Sequence, residues 1–311
     1  MSFLGFLITF LVTVVTGPYL IRWLISLKFG QSILEIGPNW HKNKQGTPTM
    51  GGIMFILGVL ISSIFVLRDG IGWFAFFIAL CFGGIGFYDD YIKVVKKRNL
   101  GLTSKQKFLL QLIVAIVLTI VSIVKNGTVI LIPFTGAEVN LGWFYVPFIL
   151  FVILGTENSV NLTDGIDGLA ASVTAVVMLF VAGIAWQYIE EGLLRLSLMA
   201  VAGCLGFLVF NHHPAKVFMG DTGSLFLGGL VSACAVLLRQ PLLLLLIGFV
   251  YFMETLSVIL QVTSFKLTKK RIFKMSPIHH HFEMCGWSEK KIVGVFCGIT
   301  ALLCMVALFA I

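Results

Sequence analysis

The residues from 156 to 168, TENSVNLTDGIDG, concentrate polar chemistry between two long apolar runs. The polar side chains there are Glu157, Asn158, Asn161, Thr163, Asp164 and Asp167. A carboxylate at the edge of hydrocarbon is stable only in water, beside a cation or against a polar ligand. Gly165 and Gly168 would let a ligand approach the backbone closely. The alternative is a solvated loop in which Asp164 and Asp167 cap the helix that follows.

Two adjacent carboxylates, Asp89 and Asp90, form the sharpest pair elsewhere in the chain. They come at the predicted C-terminal end of a helix, where the helix dipole already places partial negative charge. A cation should therefore compensate them, either Lys93 or a metal ion, unless the pair is simply two solvated caps. Hard oxygen ligands of this kind suit Mg²⁺, which binds one or two carboxylates together with substrate phosphates.

Asp221 stands between glycines in the motif GDTGS, at the predicted start of another helix. A glycine-flanked helix N-terminus can bind an anion because its backbone N–H groups point outward. Asp221 therefore either caps the helix or binds a cation that in turn holds a phosphate. The short motif leaves both alternatives open.

Three consecutive histidines, His279, His280 and His281, lie in the motif SPIHHHFE. Consecutive residues do not share a helix face, so the triplet alone does not predict a zinc site. Imidazoles beside a phosphate are the functional interpretation, and surface histidines without a role are the alternative. Lys42 is either a phosphate contact or a basic residue that orients the chain in a membrane. Glu254, an acid inside a predicted span, is interpreted as a hydrogen-bonding group between helices.

The composition predicts a membrane protein. Of the 311 residues 58% are hydrophobic, and the mean hydropathy is +1.01. Continuous runs of about 20 apolar residues, long enough to cross a core of about 30 Å, recur along the chain and favour helices over a barrel. Six cysteines without a CxxC pair predict neither disulfides nor a zinc site. A net charge of +8 favours anionic lipid or substrate, and no nucleic acid partner is expected.

The hydrophobic runs predict one all-α polytopic domain of about ten transmembrane helices over residues 1–311. The predicted spans are 3–27, 51–67, 71–88, 106–124, 144–158, 169–187, 193–210, 222–238, 242–264 and 292–311. Alternate loops differ in charge, since 18 of the 22 basic residues fall in one set. Basic loops stay in the cytoplasm, which predicts that both termini lie outside and that the polar motifs face the cytoplasm. A small β-hairpin is predicted within 125–142 on the outer side.

Carboxylates, lysines and histidines on one membrane face predict a site where a phosphorylated, anionic substrate meets a molecule embedded in lipid. Five motifs carry a resemblance to a known family: GTPTMGG at 46–52, YDDYIK at 88–93, NLTDGIDGLA at 161–170, FMGDTGS at 218–224 and SPIHHHFE at 276–283. Together they resemble the polyprenyl-phosphate N-acetylhexosamine-1-phosphate transferases over essentially the whole chain. TPTMGG and SPIHHHFE are more specifically similar to the MraY family of phospho-N-acetylmuramoyl-pentapeptide transferases. Ile166 is a mild departure, because many relatives have leucine there.

The resemblance implies a ten-helix enzyme of the bacterial cell membrane, usually a homodimer, with a cytoplasmic cleft and Mg²⁺. It implies transfer of phospho-MurNAc-pentapeptide from UDP-MurNAc-pentapeptide to undecaprenyl phosphate, giving lipid I and UMP in the first membrane step of peptidoglycan synthesis. Asp89, Asp90 and Asp221 would be the catalytic acids, with Asp221 the metal ligand. The implied substrate-binding residues are Lys42, Thr47, Lys93, Asn158, Asn161, Asp164, Gly165, Asp167, Asn211, Phe218 (stacked on uracil), His279, His280 and His281.

Three alternatives stay open at the level of sequence. Asp89 acts either as a general base for the lipid phosphate or as a covalent nucleophile. A related enzyme of the superfamily would use a UDP-N-acetylglucosamine-type donor, although SPIHHHFE weighs against it. A transporter would place ionisable groups at mid-membrane, where Glu254 is the one acid that fits.

Overall fold

The structure is a computed structural model that describes residues 1–27, 46–95 and 101–310, and they form a bundle of helices. The helices are α1 (Ser2–Ser26), α2 (Ile53–Val66), α3 (Gly70–Val95), α4 (Ser104–Asn126), α5 (Tyr145–Thr163), α6 (Leu169–Gln187), α7 (Glu191–Asn211), α8 (Gly220–Leu237), α9 (Leu244–Ile247), α10 (Phe249–Thr268), α11 (Ile278–Glu283) and α12 (Glu289–Ala307). Short 3₁₀ turns at Gly142–Phe144 and Leu308–Ala310 extend α5 and α12. Lys42 lies outside the described residues.

The prediction of an all-α polytopic membrane protein is confirmed. In the part of the chain that the structure describes, eight helices are long and apolar enough to cross a membrane: α1, α3, α4, α5, α6, α7, α8 and α12. The predicted span 51–67 becomes α2, an apolar helix of only 14 residues. The predicted span 242–264 is broken, because Gly248 leaves helical geometry between α9 and α10. α10 is not among the eight, since polar residues such as Glu254 lower its hydropathy.

The predicted hairpin is present between α4 and α5. Strands β1 (Val129–Leu131) and β2 (Glu138–Asn140) pair antiparallel, with Ile130 opposite Val139. The hairpin lies at the end of the bundle where α4 and α8 finish, since Asn126 donates a hydrogen bond to the Leu237 carbonyl over 3.1 Å. The starts of α4 and α8 therefore share the opposite end. That this opposite end of the bundle faces the cytoplasm stays a prediction.

Helix α8 is the buried centre of the bundle, with every residue from 222 to 237 buried. Phe226 of α8 packs against Phe76 of α3 and Phe55 of α2, with ring centroids 6.1 and 6.0 Å apart. α3 crosses α8 so closely that a Cβ at Gly86 would lie 2.1 Å from the Asp221 carbonyl oxygen. A larger residue would separate the two backbones at the point where both carry carboxylates.

Helix α3 is longer than predicted, because it continues to Val95 instead of ending at 88. Asp89 and Asp90 thus lie inside its last two turns and not just beyond its end. Lys93, one turn on from Asp89, forms a 2.6 Å ion pair with it. Such a pair supports the helix at the point where adjacent carboxylates would otherwise weaken it.

Candidate active site

Three carboxylates meet where α3 crosses the start of α8. Asp89, Asp90 and Asp221 each offer an oxygen within 4.8 Å of the others. Asp89 and Asp90 are buried, and the Asp221 side chain is 19% exposed. We call these three residues the catalytic cluster. Convergent buried carboxylates repel one another, so the cluster requires positive charge.

Two lysines supply that charge, and both bind Asp221. Lys93 of α3 and Lys107 of α4 each place Nζ 3.0 Å from Asp221 Oδ2. The other oxygen, Oδ1, accepts a hydrogen bond from Asn161 Nδ2 over 2.9 Å. Asn161 also donates to Ser224 Oγ over 2.8 Å, one turn further along α8. Asp221 is therefore the point at which α3, α4, α5 and α8 meet through polar contacts.

Asp90 caps helix α8. Its Oδ2 accepts hydrogen bonds from the Thr222 backbone N–H over 2.9 Å and the Thr222 hydroxyl over 2.7 Å. Its Oδ1 accepts a longer bond of 3.3 Å from the Asp221 N–H. The two backbone donors are among the free N–H groups that every helix N-terminus presents. The cap comes from a neighbouring helix, and the Asp221 side chain itself does not cap α8.

Asp89 is held from two directions. Oδ1 accepts a 2.6 Å hydrogen bond from the Leu102 N–H, just before α4, and Oδ2 faces Lys93. α4 itself begins with a capping box, in which Thr103 and Gln106 satisfy each other's backbone N–H groups. Asp89 thereby fixes the start of α4 beside the catalytic cluster, and this start carries Lys107.

A second acidic group, which we call the Asp167 cluster, joins Asp167, His213 and Glu289. Asp167 Oδ2 accepts from His213 Nδ1 and the Ala215 N–H, both over 3.0 Å. Glu289 Oε2 accepts from the Asp167 N–H over 3.0 Å, and Glu289 Oε1 lies 3.5 Å from His213 Nδ1. The alternative in which Asp164 and Asp167 cap the next helix is wrong. α6 begins after a left-handed Gly168 and has no side-chain cap.

Asp164 and Gly165 lie between the two clusters. Burial and the negative charges of Asp221, Asp90 and Asp167 raise the pKa of the Asp164 carboxyl well above its usual range. Gly165 is exposed on one side and touches the His279 ring on the other. The turn therefore brings a further carboxyl close to the carboxylates of both clusters.

Other predicted site residues have contacts that the structure defines. Asn158 exchanges hydrogen bonds with Gln111 and donates to Glu157 Oε2 over 3.1 Å. Asn211 joins two loops, because it accepts from the Gly168 N–H over 3.0 Å and donates to the Val217 carbonyl over 2.9 Å. Both residues are thus bound to protein groups.

The segment around Thr47 packs against the segment around Phe218. The Phe218 N–H donates to the Pro48 carbonyl over 2.8 Å, and the Gly51 N–H donates to the Phe218 carbonyl over the same distance. The Thr47 and Phe218 side chains are half-buried. The Phe218 ring is therefore held by its backbone at the entrance to α8, two residues before Gly220.

The three histidines point to different partners. His279 is fully buried against Glu254, with Nδ1 3.0 Å from Glu254 Oε2. His280 Nδ1 lies 2.6 Å from Glu283 within the same short helix. His281 Nδ1 accepts from the Lys274 N–H over 3.1 Å. The three rings therefore point in different directions and do not converge on one atom.

Lys107 and Gln111 are functional candidates that sequence reasoning missed. Lys107 binds Asp221, and Gln111 Nε2 donates to the buried Glu157 Oε1 over 3.0 Å. A signal was present, because the two polar residues lie one helical turn apart and Gln111 interrupts the apolar run from 108 to 118. Counting Lys107 only among the basic residues of a loop concealed its position on the inner face of α4.

The fold and the catalytic cluster define a membrane-embedded helical protein with a carboxylate and lysine site at one end. Residues 72–239 match the family described as Glycosyl transferase family 4, and residues 44–56 match phospho-N-acetylmuramoyl-pentapeptide-transferase signature 1. The chain belongs to the phospho-N-acetylmuramoyl-pentapeptide-transferase family.

Curated relatives of that name are similar over nearly their whole length. The chain is 48% identical to the one from Acetivibrio thermocellus, over 98% of this chain and 94% of the relative. It is 49% identical to that of Halalkalibacterium halodurans, over 98% and 96%. It is 50% identical to that of Listeria monocytogenes, over 94% and 93%. The family resemblance that the five motifs indicate is thus confirmed.

Proposed function

We propose that the chain transfers phospho-MurNAc-pentapeptide from UDP-MurNAc-pentapeptide to undecaprenyl phosphate, giving lipid I and UMP. The observation that carries the proposal is Asp221, where two lysines, two further aspartates and Asn161 converge at one end of a membrane bundle. Such a site suits a pyrophosphate, because lysines attract its oxygens while carboxylates bind its metal ion. Membership of the family supports the particular donor and acceptor.

The catalytic cluster fits Mg²⁺ by the chemistry of its donors. All three groups are carboxylates, the hard oxygen ligands that Mg²⁺ prefers. Asp90 uses both oxygens for donors at the start of α8, whereas Asp221 Oδ2 contacts two lysine ammonium groups. Asp221 is thus the ligand we propose. Bound Mg²⁺ would neutralise charge on the pyrophosphate, and Lys93 and Lys107 would bind phosphate oxygens in addition.

The reaction we propose is a direct displacement. An oxygen of the lipid phosphate forms a bond to the phosphorus that carries the sugar, and the bond from that phosphorus to the UMP oxygen breaks. Asp89 takes the proton of a monoanionic lipid phosphate. Its two oxygens are bound to the Leu102 N–H and Lys93, which fix the orientation of the carboxyl.

The location of the site completes the proposal. We propose that the catalytic cluster faces the cytoplasm, from which a nucleotide sugar arrives, while the acceptor reaches it from the membrane. A homodimer, implied by the resemblance, stays a prediction that cross-linking in native membranes would test.

A product assay tests the function. Purified chain is incubated with undecaprenyl phosphate, with either UDP-MurNAc-pentapeptide or UDP-N-acetylglucosamine, and with Mg²⁺ or a chelator. We expect UMP and a lipid-linked product only with the first donor and Mg²⁺. Product from the second donor alone would instead support the related transferase. Glu191→Gln is the control and should behave as the unmodified chain, because the Glu191 side chain is exposed, pairs with Arg195 and lies at the opposite end.

A further inference from the structure

Glu254 and His279 form a buried pair that the proposed reaction does not use. Both side chains are 0% exposed, and their side-chain atoms meet at 3.0 Å. In the described part of the chain, His279 is the side-chain hydrogen-bond partner of the Glu254 carboxyl. A buried carboxylate is costly unless it is paired and hydrogen-bonded.

The outer atoms of this pair lack partners. Glu254 Oε1 and His279 Nε2 are buried without a hydrogen bond within the described residues. Buried unsatisfied polar atoms are rare, and each requires an explanation. A tie between two helices would be stronger with both atoms bonded, so stability alone does not account for the arrangement.

His279 Nε2 is pressed against the turn that follows α5. A Cβ at Gly165 would lie 2.1 Å from His279 Nε2 and 2.5 Å from Cε1. Gly165 is not among the glycines with positive φ, so its backbone conformation would accept alanine. Glycine is therefore needed at position 165 only because the imidazole of His279 approaches so closely.

A second contact connects the same helices. Ser159 Oγ of α5 lies 2.6 Å from Thr255 Oγ1 of α10, the residue after Glu254. α10 is thereby fixed to α5 one turn before the turn at 164–167. The Glu254 side chain then holds the His279 ring at a set distance from that turn, on which Asp164 lies beside the catalytic cluster.

The segment that carries His279 has a separate anchor. Gln261 Oε1 accepts from the Ile272 and Phe273 N–H groups over 3.0 and 2.9 Å, and Gln261 Nε2 donates to the Phe273 carbonyl over 3.0 Å. The anchor holds the segment to α10 without touching Gly165. Gln261 thus holds the segment in place, whereas Glu254 holds the His279 ring against the turn. Variants of the two residues can therefore be compared.

We propose that Glu254 is a positioning residue: it fixes the His279 ring against Gly165 and thereby sets the position of Asp164 and Asp167. The role deepens the proposed function and rests on it, because this turn borders the proposed pyrophosphate site. Glu254 itself touches neither the catalytic cluster nor the proposed substrate. Its contribution depends on shape and hydrogen bonding, so glutamine, which can accept from His279 Nδ1, should replace it.

The first experiment compares Glu254→Leu, Glu254→Gln and Gln261→Leu by kcat, KM and melting temperature. We expect Glu254→Leu to lose kcat by about 10- to 100-fold, since misplacing a site by about 1 Å has effects of this size. Glu254→Gln should retain kcat within about threefold. Gln261→Leu should lower the melting temperature with kcat nearly unchanged. Equal losses of kcat in Glu254→Leu and Gln261→Leu, or a Glu254→Gln variant as slow as Glu254→Leu, would contradict positioning through the ring.

A double-mutant cycle tests the contact without relying on activity. Gly165→Ala should lower the melting temperature in the native background, because the ring cannot move away. In the Glu254→Leu background the same change should have a clearly smaller effect, since neighbours in contact are not additive. Additive effects would overturn the proposal. If the unmodified chain made no lipid-linked product, the proposed function would be refuted. The double-mutant cycle would still test the contact, because it is measured by melting temperature.

Discussion

The catalytic cluster and the Asp167 cluster contain similar groups but satisfy them differently. In the Asp167 cluster, the carboxylate oxygens of Asp167 and Glu289 take backbone N–H groups of residues 215 and 167 and one imidazole. In the catalytic cluster, Asp221 Oδ2 takes two lysine ammonium groups and no backbone donor. Fixed backbone donors hold a geometry, whereas lysine side chains can move to a substrate phosphate.

The two clusters thus differ in whether their positively charged or N–H partners can move to a ligand or are fixed by the fold. Lysine is a compact charge on a flexible stem and can leave one anion for another with little rearrangement of the fold. A backbone N–H can leave its acceptor only if the helix or loop moves. We therefore expect the Asp167 cluster, although it has metal-binding residue types, to fix the turn that follows α5, and the catalytic cluster to exchange ligands.

The largest expected effect distinguishes the two clusters directly. Asp221→Asn removes the charge that holds both lysines and the proposed metal ion, so turnover should fall by at least about 10³-fold and Mg²⁺ binding should weaken. Asp167→Asn keeps an oxygen acceptor for Ala215 N–H and should leave the Mg²⁺ dependence unchanged. Initial rates over a Mg²⁺ series measure both. Normal turnover of Asp221→Asn at low Mg²⁺ would show that the ligand lies elsewhere.

Asp89→Asn should have the next largest effect, a rate loss of about 10²- to 10⁴-fold, with nucleotide-sugar binding retained. The second pKa of a phosphate monoester is near 6, so a higher pH ionises the lipid phosphate without a base. Rates of the variant should therefore rise with pH towards those of the unmodified chain. A pH-independent loss, together with exchange of UMP into the UDP-sugar by lipid-free enzyme, would support a covalent aspartyl-phosphate instead.

Lys107→Met should produce an intermediate effect, because Lys93 still balances part of the charge on Asp221. We expect kcat/KM for the nucleotide sugar to fall by about tenfold, the loss of one charged contact. Lys105→Met is a matched control, since Lys105 is exposed at the start of the same helix. Equal kinetics for the two variants would mean that the Lys107 contact has no role in binding.

Much of the fold can be predicted from the sequence, because long apolar runs indicate membrane helices directly. The sequence predicts that α3 ends at 88, whereas the helix continues at least to Val95, since Asp89 and Asp90 resemble a helix end when their partners are unknown. Asp89 is bound by the Leu102 N–H before α4, and Asp90 by groups at the start of α8, which is far away in the chain. Local patterns cannot indicate contacts of this kind.

The site was predictable by residue type but not by role. The motifs identified Asp89, Asp90 and Asp221 as one group, and the structure places them together. The cap that Asp90 provides depends on the crossing of α3 and α8 at Gly86, which sequence spacing does not reveal. The interpretation of Glu254 as a hydrogen-bonding group between helices is confirmed, since it links α10 to His279 of α11. The close approach of His279 to Gly165 is what the sequence does not reveal.

The smallest effect on catalysis is expected for Asp90→Asn, although Asp90 belongs to the catalytic cluster by position. Its oxygens already accept from Thr222 and Asp221 backbone groups, as the carboxylates of the Asp167 cluster do. An asparagine keeps one acceptor and turns an N–H₂ group towards α8, so the free energy of unfolding should fall by about 0.5–2 kcal/mol, as for other lost caps.

A matched cap at the opposite end of the bundle makes this last prediction precise. Asp69 Oδ1 accepts from the Gly72 N–H over 2.7 Å at the start of α3, so Asp69→Asn should lower the melting temperature by a similar amount. Both variants should keep the Mg²⁺ dependence of the unmodified chain when rates are measured well below their melting temperatures. If Asp90→Asn instead needed much more Mg²⁺ while Asp69→Asn did not, Asp90 would be a metal ligand, and the two clusters would differ less than their hydrogen bonds indicate.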